Sequence, residues 1–339
     1  CKKRKLYAVL LGIARVVIYA LILLFLAIRF MSDSQQPSAH AQSAALAGKD
    51  SFTLSVLHFF SRLSLASLQW LGLMIGTIAA WFPHGPAWVI RRNLKLCFPE
   101  QSERWINDTT KQNLIYTAQT ALEFTKTWGV EPQYSIEQMT EIENAELFLQ
   151  AVKSPKGCFI LVPHFGNWEF MNPWVSSHCS PVIMYKPSKN KALDSFVRQA
   201  RSRLNSSLVP TDESGVKAVF KALKSGGVSI ILPDHTPHDN GGIFAPFFGI
   251  SVWSGILASK LIQKTQCEVI MLSCVHHPSG NGFKVTVDKV EPDVYSKDLL
   301  TSVTAINKSV ENLIRRNPSQ YQWIYKRFKK CEHLQNVYQ

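Results

Sequence analysis

Two long apolar segments occupy the first quarter of the chain. Residues 6–31 follow the basic cluster KKRK and are long enough to cross a bilayer as one helix, although Arg15 lies among them. The second segment, residues 63–82, is followed by Arg91 and Arg92. Because the outer ends are basic and the connection is poor in positive charge, the pattern predicts a membrane hairpin with both ends in the cytoplasm. For residues 63–82 the alternative is a helix packed on the folded domain or lying at the membrane interface.

From about residue 109 onwards, short apolar runs alternate with amphipathic stretches. Strands are predicted at 158–163, 181–185, 228–233 and 268–274, and helices at 110–128, 189–204, 213–226, 253–265 and 297–316. This alternation predicts an α/β fold with a mainly parallel sheet flanked by helices, in addition to the N-terminal membrane helices. The regions are then 1–50 (N-terminal membrane anchor and polar loop), 51–108 (a second apolar, membrane-associated helical segment) and 109–339 (the α/β domain, expected to be catalytic).

The charge of the chain favours anionic partners. Its 339 residues include 37 lysines and arginines against 24 aspartates and glutamates, a formal charge of +13 at pH 7. Phospholipid headgroups, phosphorylated glycolipids and acidic proteins all fit this excess, whereas no nucleic-acid-binding motif accompanies it. The 7 cysteines are scattered and lack C-x-x-C spacing, which indicates free thiols and argues against a disulfide framework or a structural zinc site.

The stretch HFGNWE, residues 164–169, is the first candidate for chemistry. His164 directly follows a predicted strand, where parallel sheets place their active groups. Gly166 and Asn167 allow a sharp turn, after which Glu169 can fold back onto one imidazole nitrogen. A histidine held in this way can act as a general base towards a hydroxyl. The spacing alone leaves a second possibility equally open, namely a strand-end histidine capped by Glu169 for packing.

Two further groups of polar residues follow later strands. The stretch PDHTPHDN contains four possible metal ligands, Asp234, His235, His238 and Asp239. No third-strand ligand accompanies them, so we expect a loop that hydrogen-bonds internally or lines a cleft, and metal binding is the alternative. His276 and His277 follow another predicted strand beside Pro278, and the pattern predicts a surface turn there.

HFGNWE resembles the H-x-x-x-x-D/E signature of glycerolipid acyltransferases, and more narrowly the form found in the late acyltransferases of lipid A biosynthesis. The similarity covers roughly residues 56–330 and includes RRNLKLCFPE, YKPSKNKALD, GGIFAPFFGISVWS and NKSVENLIRRNPSQYQWIYKRFKK, in this order. It implies an enzyme of the bacterial inner membrane whose catalytic domain faces the cytoplasm. It also implies transfer of a fatty acyl chain from acyl carrier protein to a hydroxyl on an acyl chain of a phosphorylated lipid A precursor, without a metal or bound cofactor. The same chemistry on a lysophospholipid, aminolipid or mannosylated lipid is the alternative.

The resemblance also implies roles for individual residues. His164 matches the base and Glu169 its orienting partner, while Arg201, with Arg203 as its neighbour, and Asp234 match further residues of the family. The other expected substrate contacts are Asn167 in the turn, Phe247 and Phe248 in FAPFFG, and Arg316 and Arg327 in the basic carboxyl-terminal region. For FAPFFG, a lining of an acyl tunnel is favoured over plain core. The chain departs from the family in having Asp234-His235 where Asp-Gln is usual.

Overall fold

A computed structural model of the protein describes residues 45–339, and the first predicted membrane segment, residues 6–31, lies outside this range. The helices are α1 (Ala45–Arg62), α2 (Leu65–Ala79), α3 (Pro86–Cys97), α4 (Glu103–Gly129), α5 (Pro132–Glu137), α6 (Ala145–Val152), α7 (Asn172–His178), α8 (Lys191–Ser202), α9 (Glu213–Lys224), α10 (Leu257–Thr265) and α11 (Leu299–Arg316). The strands are β1 (Met139–Glu143), β2 (Cys158–Leu161), β3 (Val182–Met184), β4 (Ser207–Val209), β5 (Val228–Ile231), β6 (Gly242–Phe247), β7 (Ile250–Gly255), β8 (Glu268–His276) and β9 (Phe283–Lys289).

Seven of these strands form one sheet in the order β1-β9-β8-β2-β5-β3-β4. The five strands from β8 to β4 run parallel, whereas β9 and β1 are parallel to each other and β9 is antiparallel to β8. All four residues of β2 are buried, as expected for a central strand covered by helices on both faces. The predicted α/β fold with a mainly parallel sheet is therefore confirmed. The antiparallel β8–β9 pair and the separate hairpin β6–β7 were not predicted.

The register of the central strands determines where polar side chains meet. Leu161 at the end of β2 pairs with Met271 in β8 and with Ile231 at the end of β5. Because these strands are parallel, the segments that follow them leave the sheet at one edge. His164 follows β2, and Asp234 follows β5. This edge is the place where the chemistry suggested by the sequence is brought together.

The second apolar run forms helix α2, which packs along α4. A Cβ atom on Gly72 would lie 2.5 Å from Cγ of Gln119, and one on Gly76 would lie 2.4 Å from Cα of Ile115. These glycines therefore allow the two helices to approach closely. Among the described helices, none combines the length and the apolar character needed to cross a bilayer. A bilayer span at residues 63–82, the second half of the predicted hairpin, is thus not supported, and the alternative of a packed helix describes α2.

The outer faces of α1 and α2 carry large exposed apolar side chains. They are Phe52 and Phe59 in α1, Trp70, Leu73 and Ile78 in α2, and Trp81 and Phe82 directly after it. Trp81 is 75% exposed and Phe82 64%. We call these seven residues the apolar surface. A patch of this kind with tryptophans is typical of a surface that contacts lipid or another protein.

Candidate active site

The turn after β2 is fixed by backbone contacts to two other parts of the fold. The N–H of Gly166 donates to the carbonyl oxygen of Gln320 at 2.8 Å, and the N–H of Asn167 donates to that of Cys274 at 2.6 Å. Gly166 has a φ of +60°, and a Cβ atom there would lie 2.0 Å from the Cys274 oxygen. Glycine is therefore required at this position. Both amides are engaged, so neither is available to stabilise an oxyanion.

The carboxylate that contacts His164 belongs to Asp234. Nδ1 of His164 lies 2.9 Å from Oδ1 of Asp234, and the backbone N–H of His164 donates to both carboxylate oxygens at 3.2 and 3.1 Å. Burial alone would raise the pKa of Asp234, but the attraction of His164 and its hydrogen bonds hold that pKa well below its ordinary value. An ionised carboxylate only accepts hydrogen bonds, so Nδ1 carries a proton, and in the neutral imidazole the lone pair is on Nε2. No residue in the described part of the chain hydrogen-bonds to Nε2.

His235 covers one face of the His164 imidazole. The two rings are parallel, with an interplanar angle of 0° and a centroid distance of 3.7 Å, and Tyr325 stacks on the far side of His235 at 3.9 Å. Nε2 of His235 lies 3.1 Å from Oε1 of Gln322, to which it donates. Burial, and next to it the charge of His164, lower the pKa of His235 to about 3. His235 is therefore neutral at pH 7 and packs against His164 without adding charge.

The same three residues are the group in residues 45–339 that could hold a metal ion. Ligand atoms of His164, Asp234 and His235 lie within 4.8 Å of one another. An imidazole binds a metal in the plane of its ring, at about 2.0–2.1 Å for zinc. Because the two rings stack in parallel planes, one ion cannot lie in both, so this geometry does not suit a metal. Asp239, another candidate ligand, instead forms an ion pair with Lys330 at 2.6 Å.

Glu169 forms no hydrogen bond with His164 in the described structure, so the contact by which it was predicted to orient the imidazole is not formed. Its carboxylate accepts hydrogen bonds from Nε1 of Trp128 at 3.1 Å and from Nδ2 of Asn172 at 3.3 Å, and it pairs with Arg201 at 2.5 Å. The chain turns through Gly166 and then begins a helical turn, which carries the side chain of Glu169 towards α4 and α8. A buried carboxylate needs a cation, and Arg201 supplies it.

Arg201 and Arg203 lie together on a cleft beside Glu169. Their side chains are 12% and 29% exposed, and Arg203 also donates to the carbonyl oxygen of Trp128 at 2.6 Å. Thr127 and Asn172 also line this cleft. The structure thus brings the two predicted arginines to one site, separate from the Asp234 contact of His164.

Several predicted substrate contacts have structural positions instead. Asn167 is fully buried; it donates to Glu123 at 2.8 Å, and its Oδ1 accepts from the N–H of Phe170 at 3.3 Å. Phe247 and Phe248 are 1% and 9% exposed and pack in the core, which is the alternative to a tunnel lining. The short, apolar sequence around them is equally compatible with both positions.

The two carboxyl-terminal arginines also differ from expectation. Arg327 is 1% exposed and donates to the carbonyl oxygen of Trp253 at 2.8 Å and to Oγ of Ser254 at 2.7 Å. It therefore fixes strand β7 and is not available to bind a phosphate. Arg316 lies on the surface in an ion pair with Asp288, at 2.9 Å between Nη1 and Oδ1.

Sequence reasoning missed four residues next to the turn. Tyr325 completes the ring stack on His164, while Gln322 bonds to His235 and donates its N–H to the carbonyl oxygen of His164 at 3.0 Å. His276, predicted in a surface turn, instead ends strand β8 with a side chain that is 10% exposed. Its partner is the fully buried Glu123. The signal in the sequence for Glu123 was an acidic residue between Leu122 and Phe124, in the middle of a long helix.

The fold and this site define an α/β protein with a histidine held by a carboxylate at the carboxyl edge of its sheet. Residues 41–330 match the family model of the bacterial lipid A biosynthesis acyltransferases. The chain belongs to this family, and it is an acyltransferase. The family resemblance seen in HFGNWE and the later stretches is thereby confirmed.

Characterised relatives include three transferases of Escherichia coli (strain K12). The chain is 26% identical to the lipid A biosynthesis lauroyltransferase over 277 residues, covering 81% of this chain and 90% of the relative. It is 25% identical to the palmitoleoyltransferase over 280 residues (82% and 90%), and 22% identical to the myristoyltransferase over 240 residues (70% and 73%). A solved 1-acyl-sn-glycerophosphate acyltransferase of Thermotoga maritima aligns with a TM-score of 0.32 and 12% identity, covering 72% of this chain and 94% of that one. Since the relatives are named for three different acyl groups, similarity does not assign a chain length here.

Proposed function

We propose that this protein transfers a fatty acyl chain from acyl carrier protein to a hydroxyl on an acyl chain of a lipid A precursor, a secondary acylation in lipopolysaccharide biosynthesis. Family membership supports the acceptor class. The observation that carries the mechanism is the 2.9 Å contact between Nδ1 of His164 and Asp234, which leaves the lone pair on Nε2. That is the tautomer a general base requires.

In the proposed reaction, Nε2 of His164 removes the proton from the acceptor hydroxyl as its oxygen attacks the thioester carbonyl carbon. Asp234 stabilises the imidazolium that forms, as the buried aspartate does in Ser-His-Asp triads. The tetrahedral intermediate then expels the carrier thiolate, which takes the proton back from Nε2. The products are a new ester and the free thiol of the carrier, so atoms and charges balance without a metal or redox cofactor.

We propose that the cleft of Arg201 and Arg203 binds an anionic group of one substrate. Arg203 is partly exposed, while Arg201 is held by Glu169 at 2.5 Å, with the Cζ atom of its planar guanidinium 5.0 Å from the ring centre of Tyr185. A guanidinium fixed in this way matches phosphate through paired hydrogen bonds. Arg316, half exposed on the surface, is a second candidate for contact with the acidic carrier protein or the glycolipid.

The apolar surface supports a location at the inner membrane, with the α/β domain on the cytoplasmic side. Exposed tryptophans and phenylalanines such as Trp70, Trp81 and Phe82 can enter the interfacial region of a bilayer, where indole rings are favoured. Arg62 at the end of α1 can meet anionic headgroups. A lipid acceptor would then reach the enzyme without leaving the membrane.

One assay tests the proposed function. The purified protein is incubated with acyl carrier proteins carrying chains of several lengths and with a lipid A precursor, and the products are weighed by mass spectrometry. We expect the precursor to gain one acyl chain, and we expect His164→Ala to reduce the rate by about 10³-fold or more while the protein stays folded. Full turnover by His164→Ala, or acylation of a lysophospholipid in preference to the precursor, would contradict the proposal. Turnover should persist after treatment with a strong chelator.

A further inference from the structure

A second buried pair of a histidine and a carboxylate lies next to the turn that carries His164. Nε2 of His276 lies 2.9 and 3.0 Å from the two carboxylate oxygens of Glu123 in α4. Nδ1 of His276 lies 3.4 Å from Oε1 of Gln320, and the ring of Tyr116 covers the imidazole at a centroid distance of 5.0 Å. Both ring nitrogens are engaged, so His276 is not poised to act as a base.

The Glu123 carboxylate connects three parts of the fold. Besides the contact from β8, it accepts a hydrogen bond from Nε2 of Gln69 in α2 at 3.0 Å and one from Nδ2 of Asn167 in the turn at 2.8 Å. The backbone N–H of Asn167 is itself bonded to Cys274 in β8 at 2.6 Å. Asn167 is therefore held from both sides, three residues after His164.

The buried pair favours the charged form of His276. Burial alone would lower the pKa of His276, but the attraction of Glu123 and the hydrogen bonds to Glu123 and Gln320 raise that pKa above its ordinary value. A buried ion pair of this kind seldom adds net stability compared with an apolar core. Its position beside the turn suggests what it contributes instead, namely a defined geometry.

We propose that Glu123 and His276 are positioning residues that hold Asn167, and with it the turn after β2, so that Nε2 of His164 faces the acceptor hydroxyl. The inference rests on the acyl transfer proposed above. A catalytic group on a turn needs such support, because a displacement of about 1 Å reduces a rate by about 10²-fold. The residues act through hydrogen bonds to the turn and do not touch substrate.

The test compares Glu123→Gln, His276→Gln and the double variant in the full chain. Both changes keep a side chain of similar size and remove the ionisable group. Glu311→Gln is the matched control, because Glu311 is also a buried carboxylate, 6% exposed, that accepts a backbone N–H from Phe248 and pairs with Lys308. Each variant is assayed for kcat and KM, and its melting temperature is measured.

We expect each single variant to lower kcat by about 10- to 100-fold with KM changed by less than about threefold. The double variant should resemble the singles, since the two side chains act as one unit. Glu311→Gln should lower the melting temperature and leave kcat within about threefold. The inference is overturned if Glu123→Gln reduces kcat no more than Glu311→Gln does at a comparable loss of melting temperature.

Hydrogen exchange separates this inference from the proposed function. Exchange is carried out on the full chain and measured in the fragment that covers residues 162–172. There Glu123→Gln should speed exchange of the turn amides at least about tenfold, and Glu311→Gln should not. If the wild-type protein transfers no acyl chain and the turn still loosens, then the function is wrong and the positioning of the turn stands. If exchange in the turn is unchanged, the positioning role is wrong whatever the activity.

Discussion

The two histidine–carboxylate pairs at the carboxyl edge of the sheet contain the same kinds of residue but differ in whether the imidazole has a free nitrogen. His164 follows β2 and meets Asp234, while His276 ends the neighbouring strand β8 and meets Glu123. Their side chains are similarly buried, at 11% and 10% exposure. In the described structure, the first imidazole has a nitrogen without a hydrogen-bond partner and the second does not. A carboxylate partner alone therefore does not identify a base; the free nitrogen does.

The environments differ in charge as well. One face of His164 is covered by His235. The pKa of His235 is lowered to about 3, so His235 stays neutral at pH 7. The pKa of His276 is raised instead, because both oxygens of Glu123 face one of its nitrogens. Burial lowers the pKa of both His235 and His276. The opposite net shifts of the two pKa values therefore come from the charged groups beside them, His164 and Glu123.

Asp234→Asn tests whether this carboxylate makes His164 a base, and we expect it to have the largest effect. The amide can donate to Nδ1 of His164, which would move the proton to Nε2 and remove the base. We expect kcat to fall by about 10³-fold with a small change in KM, measured in steady state with the acyl carrier protein donor. Circular dichroism checks that the variant is folded. A kcat within tenfold of wild type would show that Asp234 does not set the tautomer.

Glu169→Gln tests whether the carboxylate of the sequence signature serves the arginine cleft. Loss of the charge leaves Arg201 buried without a counter-ion, so we expect the free energy of unfolding to fall by about 3 kcal/mol. Denaturant titration gives this value. The control is Asp288→Asn, whose partner Arg316 is half exposed and whose loss should cost less than about 1 kcal/mol. Equal effects of the two substitutions would contradict a buried pair, and a loss of kcat larger than that of Asp234→Asn would restore Glu169 as the orienting residue.

The smallest effect concerns the pH dependence of stability. His235 has a folded pKa of about 3, below that of the unfolded chain, so its contribution is present above pH 6.5 and is lost as pH falls, by about 2 kcal/mol at pH 5. His276 has a raised folded pKa, so its contribution is present below pH 6.5 and is lost as pH rises through the folded pKa. Denaturant titrations between pH 5 and 8 give the slope of the free energy of unfolding against pH. The changes in this slope caused by His235→Gln and by His276→Gln should therefore have opposite signs. Slopes of the same sign would contradict the two assignments.

Much of the fold could be predicted because its signals are local. Apolar runs such as CFIL at β2 and VSII at β5 are continuous and short, as central parallel strands require. The amphipathic pattern likewise located α8 and α9. The edge elements were harder: β1 reads MTEIE, which is mostly polar and lacks regular alternation, and β4 has three residues, too few to show a period. For helix α2 the sequence left a bilayer span and a packed helix both open, because a helix that is apolar on all sides fits a bilayer and a protein core equally well.

The candidate site could be predicted in part. His164 was found because a titratable residue stands at the end of a buried strand, and Asp234 was recognised as a site residue. The partnership between them was missed, since Glu169 is five positions away and Asp234 is 70. Arg327 shows a different kind of error. Its basic neighbours suggested a phosphate site, but its side chain is buried in the core.

The sequence by itself determined the alternation of strands and helices, the placement of His164 beyond β2 and the family of the protein, because each of these depends on neighbouring residues along the chain. The tertiary structure alone decided which carboxylate meets which histidine. That choice depends on β5 and β8 lying on either side of β2, and strand order follows from packing between distant segments. For the same reason, the contacts that separate a reactive imidazole from a supporting one became visible only in the folded chain.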